Sequence, residues 1–266
     1  MNNRWNARIY FTLVIVLSII ASCRPISNPH SQGIEGQVQN PGPLPIESPA
    51  ETPPPDPADL LGKEITFTTD DGFQISGTLY HANAPKGVIL LHMLGKNRSV
   101  YDPIIPDLVA KYAVLAIDFR GHGKSQGNLP SFEEKDFKAM IKDVAGARKL
   151  LGNKGIAIMG ASIGANAGLV YSRSDPLIKT AILLSPGLEY RGIAISESMK
   201  SFNRPVLLVS SKGDAYSFQS VQTLAKANPG ASAEYADGDA HGTDMFSAGT
   251  IIKVHVLNWL KANLGG

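Results

Sequence analysis

From Leu60 onward the apolar and polar positions follow two rhythms. Residues 64–69 (EITFTT) and 73–80 (FQISGTLY) alternate with a period of two, as strands with one covered face do. Asp70-Asp71-Gly72 between them is a hairpin signal. Residues 87–93 (GVILLHM) form a continuous apolar run, the pattern of a strand covered on both faces. Further buried strands are predicted at 112–118, 155–159, 180–185, 205–210 and 232–237, and helices at 99–111, 133–151, 162–173, 217–227 and 243–263. In 133–151, Phe137, Ile141 and Val144 form one stripe with Met140, Ala147 and Leu151 beside it. An antiparallel pair followed by repeating strand–helix units predicts an α/β protein: a mostly parallel eight-stranded sheet flanked by helices. Sites in such sheets form at the carboxyl ends of the strands.

Before Leu60 the rhythm is different. Arg4 and Arg8 precede thirteen mostly apolar residues, Ile9 to Ala21, a run short for a membrane span but suited to a secretory signal. A short membrane anchor is the alternative. Ile20-Ala21-Ser22-Cys23 resembles a bacterial lipobox, and Cys23 is the only cysteine in the sequence, so no internal disulfide forms. The resemblance implies a signal peptide over residues 1–22 and lipidation of Cys23. The protein would then be an extracytoplasmic, membrane-anchored lipoprotein, its lipid chains giving stable attachment. Ten of the eighteen prolines lie between Arg24 and Asp59, where no apolar periodicity survives. Residues 23–59 therefore read as the lipidated cysteine and a proline-rich tether, with a proline-rich docking ligand as the alternative. Residues 60–266 form the globular domain.

Composition narrows the partners. With 266 residues, 43% of them hydrophobic, the chain can bury one sizeable core. The formal net charge is +2, and removing Arg4 and Arg8 balances basic against acidic residues. No basic footprint for nucleic acid results. His81, His92 and His122 lack ligand spacing with carboxylates, so no metal is expected.

The chemistry is carried by Gly160-Ala161-Ser162-Ile163-Gly164, a Gly-x-Ser-x-Gly sequence between a predicted strand and a small-residue helix. A plain strand-to-helix turn with glycines for close packing is the alternative. In the catalytic reading Ser162 is a nucleophile on a tight turn that tolerates only small neighbours. A serine needs a base and the base an orienting acid. After Ser162 the histidines are His255, inside a helical pattern, and His241, in the loop DGDAHGTDMF. His241 is the expected base. Asp214, just past the penultimate strand in PVLLVSSKGD, is the expected acid, with Glu189 as the alternative. GHGKS is not a phosphate loop, because Asp118 stands where that loop needs glycine.

These residues, with DFRGHGKS (118–125), LLVSSKGD and DAHG, resemble the α/β-hydrolase superfamily over about residues 62–264. The resemblance implies an α/β-hydrolase fold, a Ser162–His241–Asp214 triad and no cofactor. It also implies an oxyanion hole from the backbone N–H groups of Ile163 and, by matching His92-Met93-Leu94-Gly95 to the family's loop, Leu94. Met93 departs from the glycine common there. The expected activity is hydrolysis of a small-molecule carboxylic ester by a cap-less serine hydrolase similar to dienelactone hydrolases and serine aminopeptidases, acting as a monomer. A non-catalytic binding lipoprotein and an acyltransferase with the same triad stay open. Only nineteen residues, Pro186 to Arg204, separate Ser185 from Pro205, so the pocket should be shallow, with Met93, Tyr190, Tyr216 and Phe246 as wall residues alongside Leu94.

Overall fold

The computed structural model describes residues 57–152, 154–248 and 250–265; the signal segment 1–22, Cys23 and residues 24–56 of the tether lie outside them. After a short helix, α1 (Pro57–Leu61), come strands β1 (Lys63–Thr68), β2 (Gln74–Tyr80) and β3 (Lys86–Leu91), then helix α2 (Ile105–Val109) and strand β4 (Ala113–Ile117). Helices α3 (Glu134–Lys138) and α4 (Met140–Leu150) lead to β5 (Gly155–Ala161), α5 (Ile163–Ser172) and β6 (Ile178–Leu184). A small hairpin, β7 (Glu189–Tyr190) and β8 (Ile193–Ala194), precedes α6 (Ser196–Ser201). The chain continues with β9 (Val206–Ser211), α7 (Ala215–Ala227), β10 (Ala231–Ala236), α8 (Met245–Ala248) and α9 (Thr250–Asn263).

The eight long strands make one sheet in the order β1-β2-β4-β3-β5-β6-β9-β10. β1 and β2 pair antiparallel, β2 joins β4 antiparallel, and every other pairing is parallel. The Asp70-Asp71-Gly72 turn closes as the sequence predicts: Gly72 takes φ 85° and donates its N–H to the Thr69 carbonyl at 2.9 Å.

Continuous apolar runs bury both faces of the central strands. Val88 and Leu90 of β3 face one layer with α2 and α9, through Leu108, Val109, Val256 and Leu260. Ile89 and Leu91 face the opposite layer with α4, through Met140, Val144 and Ala147. On that second face, Leu183 and Leu208 pack with Met199, Val221 and Leu224 of α6 and α7.

Three expected helices are shorter or broken. The 99–111 segment becomes a 3-10 turn, Arg98–Tyr101, followed by α2, because Pro103 and Pro106 cannot donate interior helix hydrogen bonds. The 133–151 segment splits at Ala139, whose carbonyl accepts from Lys142 in a tightened turn. The 243–263 segment divides into a 3-10 turn (Gly242–Asp244), α8 and α9. Among the described residues, no helix is long and apolar enough to cross a membrane.

Candidate active site

β5 ends where α5 begins, and Ser162 is the hinge between them. Its backbone takes φ 55° and ψ −122°, the left-handed half of conformational space that costs a β-carbon-bearing residue energy. The strain persists because the surroundings over-determine it. Ser162 donates its N–H to the Leu184 carbonyl at 2.8 Å, and its own carbonyl accepts from Ala165 at 2.9 Å and Asn166 at 3.2 Å. A β-carbon at Gly160 would lie 2.4 Å from the Gly164 carbonyl oxygen, and one at Gly164 would lie 2.4 Å from the Leu91 carbonyl oxygen. These glycines let the start of α5 press against the ends of both β5 and β3. The contacted atoms are backbone and cannot rotate away. Gly164→Ala is therefore expected to lose at least about 1–3 kcal/mol of stability, read as an earlier urea midpoint.

Asp214 lies three residues past the end of β9, at the N-cap position of α7, and the loop after β10 carries His241. His241 Nδ1 stands 2.7 Å from Asp214 Oδ2. An ionised carboxylate only accepts, so this contact puts the proton on Nδ1 and leaves the Nε2 lone pair free. The histidine loop is anchored from below. Gly242 donates its N–H to Ser185 Oγ at 2.9 Å, and Ser211 Oγ donates to the Ala240 carbonyl at 2.7 Å. Ser185, fully buried at the end of β6, itself takes φ 48°. Glu189 lies exposed on β7, and Asp214 occupies the imidazole nitrogen for which it was the alternative. Among the described residues, no hydrogen bond joins Ser162 Oγ to His241 Nε2. Such contacts are often long in unliganded enzymes and tighten when substrate arrives.

The loop after β3 faces Ser162 from the other side. Neither the Leu94 nor the Ile163 N–H meets an acceptor among the described residues. For Ile163 this follows from its place as the first residue of α5, where no preceding helical turn can accept. The Leu94 N–H is oriented by its own peptide plane. His92 Nδ1–H donates to the Met93 carbonyl at 2.7 Å, and a trans peptide sends the Leu94 N–H the opposite way.

Two histidines clasp this loop to the one after β4. His92 Nε2 accepts the Phe119 N–H at 2.9 Å, and His122 Nε2 accepts the Gly95 N–H at 3.0 Å. The second loop is held by charge. Arg120 is paired with Asp143 at 2.7 Å and Asp71 at 2.9 Å, while Asp118 receives the Arg98 guanidinium and the backbone N–H groups of Arg98 and Lys124. His122 thus supports the candidate oxyanion loop.

Both clasp histidines act as acceptors and so must be neutral. Burial lowers His92 from 6.5 to about 4, and burial also lowers His122. As pH falls below the ordinary histidine value, the unfolded chain takes up a proton at His92 before the folded chain does. Stability present above about pH 6.5 is therefore lost between there and about pH 4, by about 3 kcal/mol for His92 alone. Urea melts at pH 7 and pH 4.5 should show this loss, and a His92→Phe variant should be less stable but lack that part of the slope.

The expected wall residues divide into two groups. Met93 is 4% exposed and Phe246 6%, and both belong to the core layer beneath the histidine loop. The Met93 sulfur sits against Gly242, where a β-carbon would come within 2.3 Å of it. Both thus pack within the core layer, Met93 directly against the histidine loop. Tyr190 and Tyr216 stand at the rim, their rings edge to face at 5.6 Å, and Leu94 is partly buried. Asn166, unremarked in the sequence, is fully buried on α5 and binds the β7–β8 hairpin; a lone polar residue in the small-residue run GANAG was its signal. Among the described residues, no cluster of three metal-ligating side chains occurs.

A family description, the alpha/beta hydrolase fold, matches residues 87–206. The chain is 24% identical over 98 residues to 2-(acetamidomethylene)succinate hydrolase of Mesorhizobium japonicum, a match covering 36% of this chain and 34% of that protein. It thus spans about a third of that relative's length. Among solved structures, a Pyrococcus furiosus esterase superposes with a TM-score of 0.66 at 22% identity, over 79% of this chain and 96% of that one. An enol-lactonase of Burkholderia xenovorans gives 0.63 at 16% identity, over 74% and 100%.

Proposed function

Because this chain has the α/β-hydrolase fold, we propose that it is a serine hydrolase of carboxylic esters, with Ser162 as nucleophile, His241 as base and Asp214 as the acid that orients it. The observation that carries the reading is the strained Ser162 turn standing at the same sheet end as the 2.7 Å His241–Asp214 pair. Ser162 Oγ attacks the ester carbonyl carbon while its proton passes to His241 Nε2. The carbonyl oxygen becomes an oxyanion between the Ile163 and Leu94 N–H groups. Collapse breaks the bond to the alcohol oxygen, which takes the proton from His241. Water, deprotonated by the same histidine, then releases the acid and restores Ser162.

No cofactor enters these steps. The segment between β6 and β9 holds one small hairpin and the six-residue α6, too little to bury a large substrate, which supports small to medium esters. The relatives with printed activities act on esters, lactones and an acetamidomethylene compound, in keeping with acyl chemistry. The test is a panel of p-nitrophenyl esters of increasing acyl length, run with and without an alcohol acceptor. Turnover highest on short acyl chains, with free acid as product, supports the reading. Ester formed with the added alcohol would show an acyltransferase, and no turnover on any ester would show a binding protein.

The arginine-flanked apolar run and the lipobox-like Ile20-Ala21-Ser22-Cys23 support an enzyme held outside the cytoplasm by a lipid anchor at Cys23. Under this reading Cys23→Ser releases the protein from the membrane fraction; a variant still bound there would show that the apolar run is the anchor.

A further inference from the structure

We propose that the Tyr190 hydroxyl is a second hydrogen-bond donor to the leaving group, working beside His241 on the side of Ser162 away from the oxyanion loop. The proposal rests on the serine-hydrolase reading above. The sheet order supplies the geometry. β5, which ends at Ser162, lies between β3 and β6. The loop after β3 carries Leu94, and the segment after β6 carries Tyr190. The His241–Gly242 turn is bound to Ser185 at the end of β6, so the base stands over the same side as Tyr190. An ester with its carbonyl oxygen toward Leu94 and Ile163 turns its leaving oxygen toward His241, and so toward Tyr190.

Tyr190 is held in place by three helical side chains that bind the backbone of its segment. Asn166 of α5 donates to the Gly187 carbonyl at 3.0 Å and the Ile193 carbonyl at 2.8 Å. Tyr216 of α7 accepts the Glu189 N–H at 3.1 Å and donates to the Glu189 carbonyl at 2.9 Å, and Ser220 Oγ accepts the Leu188 N–H at 3.2 Å. Gly187 leaves room for both tyrosine rings, since a β-carbon there would lie 2.7 Å from each. The hairpin turn is tight: Arg191 and Gly192 both have positive φ, as a two-residue hairpin loop requires. The segment is a fixed wall.

The Tyr190 hydroxyl lies 3.1 Å from Ser217 Oγ and 3.4 Å from the Ser185 carbonyl. Burial raises the phenol above its usual range, while the Ser217 and Ser162 hydroxyls beside it pull the other way. It is therefore neutral at pH 7, and it donates toward the carbonyl of Ser185, the same residue whose Oγ holds the Gly242 N–H of the histidine turn. As the tetrahedral intermediate collapses, the carbon–oxygen bond to the alcohol breaks and negative charge gathers on that oxygen. His241 delivers the proton; Tyr190 keeps its own and donates a hydrogen bond. Such a bond counts most when the leaving oxygen is basic and little when it is already a stable anion.

The experiment compares Tyr190→Phe with the wild-type chain on two esters of one acyl group, an ethyl ester and a p-nitrophenyl ester. The expected result is a loss of about tenfold in kcat/KM on the ethyl ester, the worth of one good hydrogen bond, and a change of less than about twofold on the p-nitrophenyl ester. Equal losses on both esters, or no loss on either, would overturn the proposal. The ratio between the esters is independent of how much variant is folded, so a destabilised protein cannot imitate the result. Failure of a fluorophosphonate to label Ser162 in the wild type would instead sink the underlying serine-hydrolase reading.

Discussion

Ser162→Ala is expected to lower kcat on the best p-nitrophenyl ester by on the order of 10⁶, with KM little changed. The size follows from the loss of the covalent route, which in the proposed mechanism only Ser162 supplies. The alanine keeps the β-carbon that Ser162 already carries at φ 55°, so the backbone strain is the same in both proteins. The hydrogen bonds that hold the turn are made by the Ser162 backbone and survive the change. Folding should therefore be preserved while turnover is lost. Adding His241→Ala should cost almost nothing further, because a base without its nucleophile has no proton to take. Steady-state kinetics on the three proteins, with matched thermal melts, check both statements. A Ser162→Ala protein retaining more than about one hundredth of wild-type kcat would remove the serine from the mechanism.

Asp214→Asn is expected to lower kcat by on the order of 10⁴. The asparagine is close in shape and should keep the contact to His241 Nδ1. Its amide can present an N–H to that nitrogen, which drives the imidazole proton to Nε2, where it faces Ser162 and cannot accept. The ring would be in the right place with the wrong tautomer. Glu189→Gln serves as the control and should change kcat by less than about twofold, as Glu189 is exposed and meets Tyr216 only through its backbone. The reverse ranking of the two variants would reassign the acid.

Much of this arrangement was legible in the sequence, for identifiable reasons. β3, β4, β5, β6 and β9 are buried on both faces over most of their length, so each contains a run of at least four consecutive apolar residues. Ser162, Asp214 and His241 stand in glycine-rich segments directly after strands, where the chain must turn and polar side chains are easily noticed. Helix ends were less legible, since Pro103 and the tightened turn at Ala139 divide segments whose apolar spacing looks continuous. The β7–β8 hairpin escaped notice because two-residue strands carry no periodicity; its sign was Arg191-Gly192. The deep burial of Met93 and Phe246 was not legible because a loop, unlike a strand, has no fixed alternation to say which way a side chain faces. Asn166 and the two clasp histidines depend on partners 21 to 27 residues away, beyond any local pattern.

Covalent labelling reads directly whether Ser162 is an activated nucleophile. The full-length protein is treated with a fluorophosphonate at pH 7.5, digested, and the modified peptide identified by mass spectrometry. One phosphonyl adduct is expected, on Ser162, absent after heat denaturation and strongly slowed in His241→Ala. No adduct, or an adduct on another residue with Ser162 unmodified, would contradict it.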